Sequence, residues 1–262
     1  MKYLILCSAL VGIFVFFTGG VLNAQIAFDP SVNYAAGDLP DSAALGDFDG
    51  DGDRDMAVTS DNPDKVLVFF NTGTGAFGAP VTVLLPSGSG ASAIVAGNLD
   101  VDTDVDLAVA LKNSNSVQVL LNNGTGTFSL GSSFGVGLEP SHMVAGDLDG
   151  NNFLDLVTSN RDGNNVSVLL NSGAANFPSI VNYSAGLDPR GVTLGNFDGV
   201  NGLDIAVSAH DDREINLLIN NGNGGYAAGV TLSTGAQLRP EGIVAADLDC
   251  NGDMDLAAAT SG

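Results

Sequence analysis

One acidic pattern returns five times along this chain at nearly constant spacing. Asp47-x-Asp49-x-Asp51-Gly52-x-x-Asp55 is its clearest copy, and related nine-residue runs begin at Asn98, Asp147, Asn196 and Asp247. Successive starts lie 51, 49, 49 and 51 residues apart. A period of that length belongs to a repeated supersecondary unit that buries its apolar face against its neighbours, as in propellers and solenoids.

Between the acidic runs each repeat reads as four short strands. The first precedes the run (Ser42 to Gly46) and the second follows it (Asp55 to Thr59). The third is aliphatic and β-branched, as in Val117–Leu121 and Val166–Leu170, and ends in an Asn/Gly turn such as Asn122-Asn123-Gly124, a hairpin signal. An aromatic opens the fourth: Phe77, Phe128, Phe177 and Tyr226. After the first 24 residues no stretch keeps a helical apolar period. The expected fold is all-β: a β-propeller of four-stranded antiparallel blades with the acidic loop between strands one and two. The blades are expected at about 41–90, 91–139, 140–188 and 189–239, with a partial one at 240–262 that a strand at 28–37 joins. That count leaves the ring incomplete, so the chain is expected to be shorter than its parent.

The charge is as uneven as the spacing is regular. Thirty acids face eight basic residues, for a net charge of −22. Phosphate binding needs clustered Lys and Arg, so a nucleic-acid partner is excluded. The five windows hold 18 of the 30 acids. Two carboxylates ~4 Å apart repel by roughly 4 kcal/mol at an effective dielectric near 20. A solvated acidic turn would spread such charges, whereas this one alternates them, which points to a counter-ion. Calcium takes six to eight oxygens. Positions 1, 3 and 5 offer side-chain oxygens, position 6 turns sharply, position 7 donates a carbonyl and position 9 closes the shell.

The expected ligands follow loop by loop. Loop one offers Asp47, Asp49, Asp51, Asp53 and Asp55; loop two offers Asn98, Asp100, Asp102, Asp104 and Asp106. Loop three offers Asp147, Asp149, Asn151, Phe153 and Asp155; loop four offers Asn196, Asp198 and Asp204; loop five offers Asp247, Asp249, Asn251, Asp253 and Asp255. About four sites are expected to hold Ca2+. Loop four is expected to be weakest, because Val200 brings no oxygen to position 5. Zinc would need His or Cys, and beyond residue 24 there are only His142, His210 and Cys250. An EF-hand would need an acid at position 12, where loop one has Val58.

Residues 1–24 read as a signal peptide. Lys2 is followed by the apolar run Leu4 to Phe17, with a cleavage site near Ala24. The chain is therefore expected to be secreted, extracellular or at the cell surface, with no membrane insertion after cleavage. Cys250 alone then remains, so no disulfide can form within the chain.

The acidic loops, their period and the literal Phe77-Gly78-Ala79-Pro80 resemble the FG-GAP repeats of integrin α-subunit N-terminal propellers and the related VCBS repeats. The resemblance covers roughly residues 28–262. It implies a propeller, commonly of seven blades, with calcium in these loops and partner binding on the opposite face. That face would carry Arg161, Arg190, His210 and Arg213. The implied role is cell adhesion or recognition of an extracellular protein or glycan. No Gly-x-Ser-x-Gly or His-Glu-x-x-His motif occurs, so no enzyme is expected. The alternative is a polysaccharide-active propeller enzyme, or the non-catalytic propeller of one.

Overall fold

The computed structural model describes residues 4–8, 31–200 and 202–262. Their regular structure is entirely β-strand. Beyond a first strand, β1 (Leu4–Ser8), four four-stranded antiparallel sheets follow one another along the chain. The first contains β2 (Asp38–Gly46), β3 (Asp55–Asn62), β4 (Asp64–Phe69) and β5 (Val81–Leu84). The second contains β6 (Ala91–Gly97), β7 (Asp106–Leu111), β8 (Ser116–Asn122) and β9 (Phe128–Gly135). The third contains β10 (Pro140–Gly146), β11 (Asp155–Asn160), β12 (Asn165–Leu170) and β13 (Ser179–Ser184). The fourth contains β14 (Pro189–Gly195), β15 (Asp204–Ala209), β16 (Glu214–Asn220) and β17 (Tyr226–Ser233). A fifth, three-stranded sheet pairs β18 (Arg239–Ala246) with β19 (Asp255–Ser261) and β1.

Burial explains the sequence pattern within each sheet. The second strands β7, β11 and β15 are buried at every residue. After their leading aspartates, β7 (Leu107–Leu111) and β15 (Ile205–Ala209) carry the near-continuous apolar runs of strands covered on both faces, while β11 buries the polar Thr158, Ser159 and Asn160 behind Leu156 and Val157. Four hydrophobic clusters lie between successive sheets. The first joins Phe48, Val66 and Val68 to Ile94, Leu107 and Leu120, and the second joins Ala108 and Val119 to Met143 and Leu156. The third joins Leu148 and Val168 to Val192 and Ile205, and the fourth joins Ala206 and Ile215 to Ile243 and Leu256. Among the described residues no such cluster joins the first sheet to the fifth, so the array is open.

Two sequence expectations change. The strand expected over 28–37 is not formed at residues 31–37; residues 28–30 lie outside the described ones. Tyr34 is the reason. Its ring meets Phe69 and Phe77 edge-on at 6.1 and 5.4 Å, and its hydroxyl accepts the Phe77 N–H at 3.1 Å. With Ala36 it covers Val58 and Leu67, so this segment caps the outer face of the first sheet, which no preceding sheet covers. The third place in the fifth sheet is taken instead by β1, running parallel to β19 from Leu4 opposite Leu256 to Ser8 opposite Thr260. The signal peptide read over 1–24 otherwise lies outside the described residues. Second, Phe77 and Phe177 precede their strands rather than open them, because Pro80 and Pro178 follow and cannot donate to a ladder.

Tyr34→Ala should lower stability by about 2 kcal/mol in urea unfolding. Val32→Ala, at an exposed position two residues away, should change it by less than about 0.5 kcal/mol.

Candidate metal centres

Each acidic loop is built around its ninth residue, the first of a second strand. Asp55, Asp106, Asp155, Asp204 and Asp255 are 0 to 1 % exposed. A carboxylate so buried needs hydrogen bonds to both oxygens. One oxygen accepts the N–H of the loop's second residue in all five copies: Phe48, Leu99, Leu148, Phe197 and Leu248, at 2.8 to 3.1 Å. In the first four sheets the other accepts the N–H of an asparagine sixteen residues on: Asn71, Asn122, Asn171 and Asn220, at 2.6 to 2.9 Å.

These asparagines also fasten sheet to sheet. The Asn122, Asn171 and Asn220 amides each donate at 2.8 Å to the second-position carbonyl of the preceding loop, on Phe48, Leu99 and Leu148. Each also donates at 3.1 Å to the eighth carbonyl of its own loop. Asn71, with no sheet before it, makes only the bond to its own loop, at Arg54. Sequence reasoning treated these residues as turn formers. Their recurrence at 71, 122, 171 and 220, in step with the aspartates, was the signal available.

The remaining loop positions fold the acids inward. Asp47 accepts the N–H groups of Gly50 and Gly52 at 2.8 and 3.0 Å, and Asp147 does the same for Gly150 and Asn152 at 2.8 and 2.9 Å. The fifth residues Asp51, Asp102, Asn151 and Asn251 accept the N–H of the seventh, which are Asp53, Asp104, Phe153 and Asp253. Position 6 takes positive φ at Gly52, Asn152 and Gly252, as its glycine preference implied. Position 4 does so too, which the sequence reading missed: φ is 77° at Gly50, 79° at Gly150, 73° at Gly199 and 60° at Cys250.

The result is a set of convergent carboxylates that could hold a metal ion. Oxygens within 4.8 Å of one another come from Asp47, Asp49 and Asp55; from Asp147, Asp149 and Asp155; and from Asp247, Asp249 and Asp255. In loop two the trio is Asp100, Asp102 and Asp106. There Asn98 stands first and turns its amide to donate to the Asp102 carbonyl. In loop four Asn196 accepts the Gly199 N–H at 2.8 Å, leaving Asp198 and Asp204 as the acids. Burial, with repulsion from Asp149 and Asp147, pushes Asp155 up to about 6 despite its two backbone donors. Burial also raises Asp106, and burial together with neighbouring aspartates raises Asp49. A hard cation would relieve that strain, and the all-oxygen donor set suits one.

The opposite face is held by ion pairs. Arg161 meets Asp188 at 2.9 Å, and Arg190 bridges Asp188 and Glu241 at 2.9 and 2.5 Å. Burial alone would raise Asp188; the two guanidiniums reverse this and hold it below its ordinary value. His210, 6 % exposed, sits among Asp188, Asp211 and Glu241 at 3.0 to 3.3 Å. His142, on β10, accepts the Val192 N–H, and burial lowers its pKa. It lines a recess of about 310 Å³ with Ser141, Arg161, Arg190 and Glu241.

Successive four-stranded antiparallel sheets, each with an acidic loop between its first two strands, define an incomplete β-propeller with candidate cation loops. The chain belongs to the FG-GAP-like repeat family, whose model matches residues 47–109, 98–158 and 197–258, about two thirds of the sequence. Among solved structures it is similar to virginiamycin B lyase from Staphylococcus aureus (TM-score 0.54, 14 % identity, covering 80 % of this chain and 61 % of that one). It is similar to BBS1N in complex with ARL6DN (TM-score 0.57, 15 % identity, 86 % and 64 % covered). It is also similar to the periplasmic gluconolactonase PpgL of Pseudomonas aeruginosa (TM-score 0.56, 18 % identity, 81 % and 55 % covered). The chain thus spans less than two thirds of each of these proteins. No curated protein matches it.

Asn122→Ala should cost about 2 kcal/mol, since it strands two buried carbonyls, and Asn71→Ala roughly half as much. Cys250→Gly should raise stability by about 1 kcal/mol by relieving a left-handed backbone at a non-glycine residue. Urea unfolding of the three variants checks all these values.

Proposed function

We propose that this chain is a secreted, calcium-stabilised propeller module that recognises an extracellular protein or glycan, as in cell-surface adhesion. The observation that carries the reading is the convergence of three carboxylates in each of four loops, repeated at one place in the fold. Loops one, three and five hold Asp at positions 1, 3 and 9, with the fifth and seventh residues folded over them. Calcium, when bound, neutralises each cage and fixes the junction between the first two strands of its sheet.

The chain's own residues supply the rest. In the first four loops the ninth-position aspartate presents a carboxylate already oriented by two N–H donors, so little ordering remains when an ion enters. At ~1 mM free ion and a Kd of ~10 μM, one site contributes about 2.7 kcal/mol. A few such sites rival the ~5–15 kcal/mol stability of a whole domain. Recognition belongs to the opposite face, where Arg161, Arg190 and Glu241 border the recess beside His142. That recess also favours the second reading, a polysaccharide-active enzyme or part of one. Release of new reducing or unsaturated ends from a glycan panel would support it over the first.

Calorimetry in 1 mM calcium and in excess chelator tests the main reading. Chelation should lower Tm by roughly 20 °C if three or four such sites are emptied; superimposed curves would rule the role out. Equilibrium dialysis should count about four ions. Asp49→Ala should remove one while leaving the Asp55 hydrogen bonds in place, and Asn196→Asp with Val200→Asp should strengthen the fourth loop.

A further inference from the structure

The first three acidic loops are each touched by the repeat that follows. The Asn122 amide donates to the Phe48 carbonyl at 2.8 Å, and the turn it opens lies on loop one, where a Cβ on Gly50 would stand 3.3 Å from the Gly124 carbonyl oxygen. Over loop two, the Asn171 amide and the Ala175 N–H both donate to the Leu99 carbonyl at 2.8 Å. Over loop three, the Asn220 amide meets the Leu148 carbonyl at 2.8 Å, and a Cβ on Gly224 would stand 3.3 Å from Asp149 Cβ. The same asparagines hold a cage residue of their own repeat. The backbone N–H of Asn122 goes to Asp106, and that of Asn171 goes to Asp155.

We propose that Asn122 and Asn171 are positioning residues that couple the calcium affinities of successive loops, so that loops one, two and three fill as one cooperative series. The inference rests on the calcium reading above. Phe48 lies between Asp47 and Asp49. Its N–H goes to Asp55 and its carbonyl accepts the Asn122 amide, so the backbone joining two cage acids is held from both sides. The two-state element is the loop itself, ordered around an ion or loose without one. Ordering loop one fixes the Phe48 carbonyl and with it Asn122, whose N–H orients Asp106 in the next cage. Less conformational entropy then remains to be lost when loop two fills, which is positive coupling without a change of fold. Linkage makes the effect reciprocal: filling loop two strengthens loop one by the same factor. Asn171 carries it from loop two to loop three by the same pair of bonds. Loop four interrupts the series. Asn220 still joins Asp204 to Leu148, but Asn196 and Val200 leave two acids in that cage, so little ordering passes on. Loop five therefore titrates independently of loops one to three.

Calcium titration of the isotope-labelled full chain by nuclear magnetic resonance, with free ion set by a chelator buffer, reads each loop through its own amides. Gly50 and Gly52 report loop one, Leu99 loop two, Gly150 loop three and Gly252 loop five. Asp49→Ala, which empties loop one, should raise the Kd of loop two roughly fivefold or more and leave loop five unchanged. In a chain that also carries Asn122→Ala, Asp49→Ala should no longer move loop two, because the link is already cut. If loop two binds equally tightly with and without Asp49→Ala, the coupling is wrong and the calcium reading stands; that comparison holds even should Asn122→Ala prevent folding. Equal weakening of loops two and five would also overturn the coupling, as a general loss of stability. Loop amides that ignore calcium throughout would sink the calcium reading and the coupling together.

Discussion

A carboxylate withdrawn from water must replace its hydration with donors of the protein's own. Here the ninth-position aspartates do so in a way that builds the molecule. Each fully partnered one takes one N–H from the loop in front of it and one from the turn behind it. The asparagine of that turn reaches back to the neighbouring sheet. The link then runs Asp55, Phe48, Asn122, Asp106, Leu99, Asn171, Asp155 and onward. One acid of each prospective cage, the ninth, is therefore also the one that aligns the sheets. A cation entering a loop would act on a group already tied to the next junction.

That double duty explains why the loops are unequal without the sheets being unequal. Loop four has an amide in place of the acid at position 1 and no side-chain oxygen at position 5, yet Asp204 keeps both backbone donors, at 2.8 Å each. The ninth residue serves the frame; positions 1, 3 and 5 serve the cage. The cage can erode in one repeat while the frame persists. Exposed, self-contained turns bear the change, and the buried junction does not.

Much of this was legible in the sequence because period and polarity leave direct marks. The repeat, the four strands and the acidic alternation are patterns of residue type, and the sheets follow them. What stayed hidden depends on partners distant in the chain. The Tyr34 segment looks like a fourth strand because Val32–Gly37 mirrors Val181–Gly186, but an uncovered face beside Phe69 recruits its ring instead. The junction asparagines look like ordinary turn residues until Phe48 and Asn122 are seen 74 positions apart and hydrogen-bonded. Position 4 escaped notice because Cys250 and Val101 interrupt its glycines.

The direction of the asparagine bonds has a consequence for the order in which the molecule is made. Each reaches from a later repeat to an earlier one, so the Phe48 carbonyl waits for Asn122 and the Leu99 carbonyl waits for Asn171. As the polypeptide leaves the ribosome, no repeat is finished until most of its successor has been synthesised. Structure is then secured one unit behind the point of elongation, and the newest repeat is always the loosest.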